Sequence, residues 1–240
     1  MAVLAAVALF TTARAASAQD ADLLIKIGLE YFQKALRAKG RGRQGARALG
    51  RRRKKTKSAE PLILAAAAEH FLGRAAPEIK AREHFEQVKR FADEALARDK
   101  DSVQAGYWLA VSLIELLEKG EPTAYLRERT HIKRLLDAAL AEDPAYQFGG
   151  PDRFLARFHF RSPVRDYDAA EKHLQAAVKI APHDSRNFLL LAELLIERKR
   201  PGEARAALDA IDAIQAAPEF AGELAADREK AAALRKRLDA

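Results

Sequence analysis

The chain has 240 residues, of which 49% are hydrophobic and 32% are charged, and it contains no cysteine. That much apolar material supports a sizeable core, whereas the lack of cysteine excludes disulfides, thiolate metal sites, a cysteine nucleophile and a lipoprotein anchor. The formal net charge of +8 arises from residues 37–57, which hold 11 Lys and Arg and no acidic residue. The rest of the chain is slightly acidic, so the overall charge does not by itself indicate a nucleic-acid-binding protein.

The first 18 residues have the pattern of a signal peptide. An uncharged apolar run extends from Ala2 to Phe10, and Ala16-Ser17-Ala18 is a small-x-small signal that places the cleavage before Gln19. The run is shorter than the roughly 20 apolar residues that span a bilayer. No Lys or Arg precedes it, so an ordinary alanine-rich helix end is the alternative. We predict that residues 1–18 are a signal peptide and that the protein is periplasmic.

Residues 19–38 are predicted to form an N-terminal helix, and the helical pattern itself covers residues 22–37. Leu23, Ile27 and Tyr31 share one face of this helix, with Leu24 and Phe32 beside it. The segment is therefore expected to be amphipathic.

Residues 39–58 are predicted to form a basic, glycine-containing linker. Interrupting glycines and repulsion among like charges favour a solvated segment. The alternative is an arm that binds an anionic membrane surface through residues 39–57. Nucleic acid is disfavoured as a partner, because no aromatic side chain on which bases could stack lies between Arg37 and Lys57.

Alanine and leucine dominate residues 59–240, and long helical patterns follow one another there, which predicts an all-α domain. The predicted helices run from Pro61 to near Pro77, from Glu78 to Arg98, from Val103 to Lys119, from Thr123 to Glu142 and over residues 219–240. The last helix has one apolar face and is expected to cap the domain.

The helix predicted over residues 103–119 is apolar around most of its circumference, but one polar strip runs along it. Gln104, Ser112 and Glu115 lie on this strip, and so does Trp108, the only tryptophan of the chain. Trp108 either packs against an adjoining helix with its indole N–H hydrogen-bonded, or lines a cleft and contacts a ligand.

Residues 143–163 contain a turn signal, Gly149-Gly150-Pro151, followed by a short aromatic segment. Four phenylalanines and three basic residues alternate here: Phe148, Phe154, Phe158 and Phe160 with Arg153, Arg157 and His159. In one interpretation the phenylalanines anchor a short helix in the core while the arginines face water. In the other, the aromatic rings and arginines form an amphipathic pocket for an anionic organic ligand.

Residues 167–217 contain one and a half copies of a 34-residue helical repeat. Ala170, Leu174 and Ala177 recur 34 residues later as Ala204, Leu208 and Ile211, and Pro182, Phe188, Leu191, Ala192 and Leu195 lie between them. This arrangement resembles the tetratricopeptide pattern, in which small residues let paired helices approach closely and bulky residues fill the space around the contact. The predicted fold is therefore all-α, built from tetratricopeptide-like antiparallel helix pairs that stack as an α-solenoid.

Three segments resemble a known transport protein in their order. They are Ala105–Leu113 (AGYWLAVSL), Asp143–Phe158 (DPAYQFGGPDRFLARF) and Ala169–Pro182 (AAEKHLQAAVKIAP). Over roughly residues 85–215 the chain is similar to the T component of tripartite ATP-independent periplasmic (TRAP) transporters. That resemblance implies a periplasmic helical protein that accompanies a solute-binding subunit and encloses a ligand-holding cavity.

No pattern in the sequence indicates catalysis. The six histidines are scattered without an i, i+4 pair, and there is no G-x-S-x-G elbow, phosphate-binding loop or dinucleotide fingerprint. Glu69-His70 and Glu83-His84 are neighbours in sequence, but adjacent helix positions point in different directions. We therefore expect no catalytic residues, no cofactor and no metal site.

The sequence thus predicts a non-enzymatic periplasmic binding or adaptor protein, associated with a TRAP-type uptake system. Its partner would be a solute-binding protein, and its ligand a small hydrophobic or anionic organic molecule. The proposed ligand-facing wall consists of Tyr107, Trp108, Phe148, Arg153 and Phe154. The alternatives are a general scaffold for protein–protein interaction and a membrane-surface protein attached through its basic tract.

Overall fold

The structure, a computed structural model, describes residues 59–118, 120–215 and 221–239, and within these ranges it contains nine α-helices and no strand. The helices are α1 Glu60–Ala75, α2 Glu78–Arg98, α3 Val103–Leu117, α4 Pro122–Glu142, α5 Gly150–Arg161, α6 Tyr167–Ile180, α7 Ser185–Glu197, α8 Pro201–Ala213 and α9 Ala221–Leu238. The predicted signal peptide, N-terminal helix and basic linker lie outside the described residues.

The helices form a two-layer stack of pairs. Each helix contacts the next, and the contacts within the pairs α1/α2, α3/α4, α5/α6 and α7/α8 are extensive, as is the contact between α2 and α3. The odd-numbered helices also contact one another in succession, from α1 to α9, whereas the even-numbered helices make no comparable contact among themselves. The stack therefore has an inner layer of odd-numbered helices and an outer layer of even-numbered ones. The predicted fold, an α-solenoid of tetratricopeptide-like helix pairs, is confirmed.

Local sequence explains where the helices begin. Side-chain oxygens of Ser102, Asp166 and Asp184 accept backbone N–H groups at the starts of α3, α6 and α7. Proline occupies the first turn of α1, α4, α5 and α8, where its missing N–H leaves no hydrogen bond unmade. These signals fix the helix boundaries, so the turns between paired helices are short.

The six positions of the 34-residue repeat all lie in the interior. Ala170, Leu174, Ala177, Ala204, Leu208 and Ile211 are each 0% exposed. Ala192 of α7 and Ala204 of α8 belong to the same core cluster, in which Leu195 and Leu208 fill the space beside them. Small side chains at the contact therefore bring the two helices close together, as the sequence pattern predicts.

Replacing one contact alanine tests this packing. Ala204→Leu adds three carbons to a site without free space, and we expect it to lower the free energy of unfolding by about 1–3 kcal/mol. Ala206→Leu is the matched control, because Ala206 is exposed on the same helix and should change stability by less than about 0.5 kcal/mol. Urea unfolding of both variants makes the comparison, and equal losses would contradict the role of the small contact.

Candidate functional site

The inner layer lines an open groove of about 890 Å³. Side chains from α1, α3, α5, α7 and α9 converge on it, together with the first turns of α2. Its surface combines guanidinium and carboxylate groups with aliphatic side chains, among them Ile79, Leu116, Leu189 and Leu190. The groove is thus a concave surface that all five inner helices share.

An ion cluster joins the first three inner helices where they meet at the groove. Arg157 of α5 donates to both oxygens of Glu115, over 2.6 and 2.7 Å, and to both oxygens of Glu118, over 2.7 and 2.8 Å. His70 of α1 lies with its Nε2 3.2 Å from Glu115 Oε1. Two carboxylates share one guanidinium, and all four residues line the groove. The cluster fixes the relative positions of α1, α3 and α5.

Burial and charge together determine how this cluster titrates. Burial would raise the pKa of Glu115, but the charge of Arg157 and the hydrogen bonds from His70 and Arg157 outweigh it and hold that pKa well below its usual range. Burial lowers the pKa of His70, against the opposing effect of Glu115. His70 is enclosed by aromatic rings, with the Phe85, Trp108 and Phe154 ring centroids 5.4–5.9 Å away. The imidazole is therefore neutral in the fold at neutral pH.

A second buried arginine joins α5 to α7. Arg153 Nη1 donates to Asp184 Oδ2, over 3.0 Å, and to Asn187 Oδ1, over 2.9 Å. Its Nη1 and Nη2 also donate to the backbone carbonyls of Phe148 and Gln147. Burial lowers the pKa of Arg153 to about 10, so the side chain stays cationic. This side chain therefore holds the turn before α5 against the start of α7.

The turn itself requires its two glycines. Gly149 has φ +72°, in the left-handed region, and a Cβ there would lie 3.2 Å from the backbone of Ala177. At Gly150 a Cβ would overlap with the hydroxyl of Tyr107. The Gly149-Gly150 pair thus lets the turn lie against both α3 and α6.

Similar polar contacts continue to the last helix. Ser185 Oγ at the start of α7 donates to Asp227 Oδ2 of α9 over 2.8 Å, and both residues are buried. Each step between successive inner helices therefore carries at least one polar contact that is buried or partly buried. We call these four contacts the polar links: His70–Glu115, Glu115–Arg157, Arg153–Asn187 and Ser185–Asp227.

The five residues of the predicted ligand-facing wall do not all lie at the groove. Arg153 and Phe154 line the groove, whereas Tyr107, Trp108 and Phe148 are not among its lining residues. Tyr107 and Trp108 are 1% and 3% exposed, and their rings contact each other. The Tyr107 ring also contacts those of Tyr146 and Phe154, and Phe148 is 46% exposed outside the groove. Trp108 Nε1 donates to Tyr146 Oη over 3.1 Å. This agrees with the first interpretation of Trp108, in which the indole packs in the interior with its N–H hydrogen-bonded. A ligand role for these five residues stays a prediction.

Sequence reasoning missed the ion cluster, although one signal was present. Glu115 lies on the polar strip of an otherwise apolar helix, and its carboxylate contacts α1 and α5. The first interpretation of residues 148–160 was right for Phe154, Phe158 and Phe160, which are buried. It was wrong for the arginines, because Arg153 is 8% exposed and Arg157 is enclosed by two carboxylates.

One comparison with known proteins identifies the repeat. The family model described as Tetratricopeptide repeat matches residues 165–235, which include α6 to α8, most of α9 and all six in-phase positions from Ala170 to Ile211. The protein is tetratricopeptide-like. No curated protein matches the chain. The groove along α1, α3, α5, α7 and α9 is accordingly the inner face of a tetratricopeptide-like stack.

The described residues contain neither a metal-binding group nor a membrane-spanning helix. Within residues 59–118, 120–215 and 221–239, no group of three or more His, Asp or Glu side chains is placed to hold a metal ion. None of the nine helices just described combines the length and the apolar character that crossing a membrane requires.

The ion cluster predicts acid lability in two stages. Below pH 6.5, the ordinary pKa of histidine, His70 binds a proton in the unfolded state more readily than in the fold. Below pH 4.5 the same holds for Glu115. The free energy of unfolding therefore falls as the pH falls through each range. We expect His70→Phe to reduce the loss between neutral pH and about pH 5, where one such proton contributes up to about 1.4 kcal/mol per pH unit. His131→Phe, at an exposed position of α4, is the control. Urea unfolding at several pH values measures the slopes, and an unchanged slope for His70→Phe would contradict this assignment.

Proposed function

We propose that this protein is a non-enzymatic scaffold whose inner groove binds a segment of a partner protein. The observation that carries the proposal is the convergence of five successive inner helices on one open groove. Tetratricopeptide-like stacks create extended concave surfaces of this kind, and such surfaces suit polypeptides. The tetratricopeptide match over residues 165–235 supports the same function.

The chemistry of the groove favours a polypeptide over a small molecule. Small-molecule sites are concave, mostly apolar and bury most of their ligand, whereas this groove is open and rich in charged groups. The guanidinium groups of Arg153 and Arg157 already donate to protein acceptors, so they are poorly suited to hold a small anion. A peptide segment can contact the charged and the aliphatic side chains of the groove at the same time.

One exposed side chain offers an anchor for such a segment. Ile79, in the first turn of α2, lines the groove and is 82% exposed. An apolar side chain with so little contact in the free protein gains most from burial by a partner. A substitution of Ile79 can therefore change the affinity for a partner without changing the stability of the fold.

We expect Ile79→Asp to reduce recovery of the partner about tenfold or more, because a charge would replace an apolar contact in the interface. Leu126→Asp is the matched control: Leu126 is 43% exposed on outer helix α4 and lies outside the groove. Both substitutions are at the surface and should leave the free energy of unfolding within about 0.5 kcal/mol. Affinity capture from the native host with quantitative mass spectrometry measures the recovery.

The two variants give opposite outcomes if the groove is the binding face. Partners lost with Ile79→Asp and kept with Leu126→Asp support the proposal. Partners that survive Ile79→Asp but disappear with Leu126→Asp would move the interface to the outer layer. Steady turnover of a substrate by the purified protein would contradict the non-enzymatic part of the proposal.

More narrowly, we propose that the partner is the solute-binding protein of a TRAP-type uptake system and that the protein is exported. The support is the sequence resemblance over residues 85–215 and the signal-peptide pattern of residues 1–18. Membrane attachment through residues 39–57 is the remaining alternative, and it concerns residues outside those that the structure describes.

This narrower proposal predicts a mature N-terminus at Gln19 in protein purified from its native host, because cleavage follows Ala18. It also predicts a co-purifying solute-binding protein that Ile79→Asp releases. N-terminal sequencing and native mass spectrometry make the two measurements. A mature protein that begins at Met1 would end the export proposal without affecting the groove.

A further inference from the structure

Helix α1 is apolar on almost every side, yet only one of its faces is buried. Leu62, Ala66 and His70 face the stack and are 6%, 0% and 7% exposed. On the opposite face Leu64, Ala65, Ala68 and Leu72 are partly exposed and belong to none of the core clusters. This outer face of α1, defined by those four residues, carries no charge.

The arrangement of the stack shows what normally covers such a face. Each of the inner helices α3, α5, α7 and α9 contacts the outer helix that precedes it in the chain, namely α2, α4, α6 and α8. Among the described residues, α1 is the inner helix without a preceding outer helix. The outer face of α1 is therefore the place where the repeating pattern calls for one more helix.

The two ends of the stack differ in a way that supports this reasoning. The last helix, α9, turns charged residues outward, including Arg228, Glu229, Lys236 and Arg237, which are exposed. A polar outer face is what a terminal helix of a repeat stack needs for solubility. The outer face of α1 has the opposite character, so α1 is not suited to be the end of the stack.

We propose that residues 22–37 of the same chain cover the outer face of α1. This segment has 16 residues, the length of α1. Leu23, Ile27 and Tyr31, with Leu24 and Phe32 beside them, supply the apolar surface that an outer helix would turn toward α1. Its polar side chains Lys26, Gln33 and Arg37 fall on the other side of the helical pattern.

The length of the connecting chain favours this segment over a second molecule. Residues 38–58 lie between this segment and α1 in the sequence, and a flexible chain of that length has a mean span of about 25 Å. That distance is close to the length of α1, about 24 Å for 16 residues. A tether of this reach gives an effective concentration on the order of millimolar, above the working concentration of most purified proteins. The polar, basic residues 39–57 are themselves unsuited to cover an apolar face.

The absence of cysteine from the chain allows a direct test. Gly28→Cys is placed on the apolar side of the segment, between Leu24 and Phe32 on the helical pattern, and Ala68→Cys at the centre of the outer face of α1. The matched control combines Ala68→Cys with Gln33→Cys, which lies on the polar side of the same segment. A short bis-maleimide is added to the full chain, and the intramolecular product is quantified by mass spectrometry over a range of protein concentrations.

The expected result is an intramolecular cross-link that forms about tenfold faster for Gly28→Cys than for Gln33→Cys and does not depend on protein concentration. A cross-link between chains that grows with concentration would assign the face to a second copy and overturn the proposal. Equal yields for the two pairs, or none, would show that the segment does not dock and would also overturn it.

Hydrogen exchange provides a second readout that does not use cysteine. In the unmodified protein, the amides of residues 22–37 should exchange about tenfold or more slowly than in Ala68→Glu, which places a charge on the outer face of α1. Ala138→Glu, at an exposed position of α4, is the control and should leave that protection unchanged. Fast exchange in the unmodified protein would overturn the proposal. None of these outcomes depends on the groove or its partner.

Discussion

The relative positions of the inner helices depend on the polar links between them. Apolar contacts resist separation of two helices but tolerate sliding, whereas a hydrogen bond about 3 Å long between buried groups is satisfied in one relative position only. One such link joins each consecutive pair of inner helices, from His70 on α1 to Asp227 on α9. The shape of the groove is therefore set by buried hydrogen bonds, while the alanine contacts set the distance within each pair.

Buried charge of this kind has a cost that the geometry offsets. Removing Glu115 and Arg157 from water is unfavourable, and an ion pair recovers that free energy only when nearly all of its hydrogen bonds are made. Arg157 makes paired hydrogen bonds with both Glu115 and Glu118. This arrangement favours one stacking of α1, α3 and α5 over others, because any displacement would leave a carboxylate buried without its partner. A fixed groove loses less entropy when a partner binds than one that must first be ordered.

Periodicity and capping residues were enough to predict the helices and the repeat, because these depend on neighbours in sequence. Glu78–Arg98 was predicted with the bounds that the structure has, and the 34-residue spacing placed Ala170 and Ala204 in the core. The ion cluster could not be predicted in the same way. His70 and Arg157 lie 45 and 42 residues from Glu115, and their meeting depends on how the pairs stack. Single-sequence patterns identify a polar strip on α3 but not the residues opposite it.

One of the three segments that resemble a transport protein, Asp143–Phe158, contains the sequence GGPDRFL, which has a demanding structural role. In GGPDRFL, Gly149 adopts φ +72° against α6, Gly150 lies under the hydroxyl of Tyr107, and Arg153 holds the preceding turn to α7. A sequence that builds this junction must contain these residues whatever the groove binds. Similarity in this segment therefore indicates a shared way of joining α5 to its neighbours more directly than a shared ligand. The identity of the partner has to be read from exposed groove positions such as Ile79, which the fold leaves free to vary.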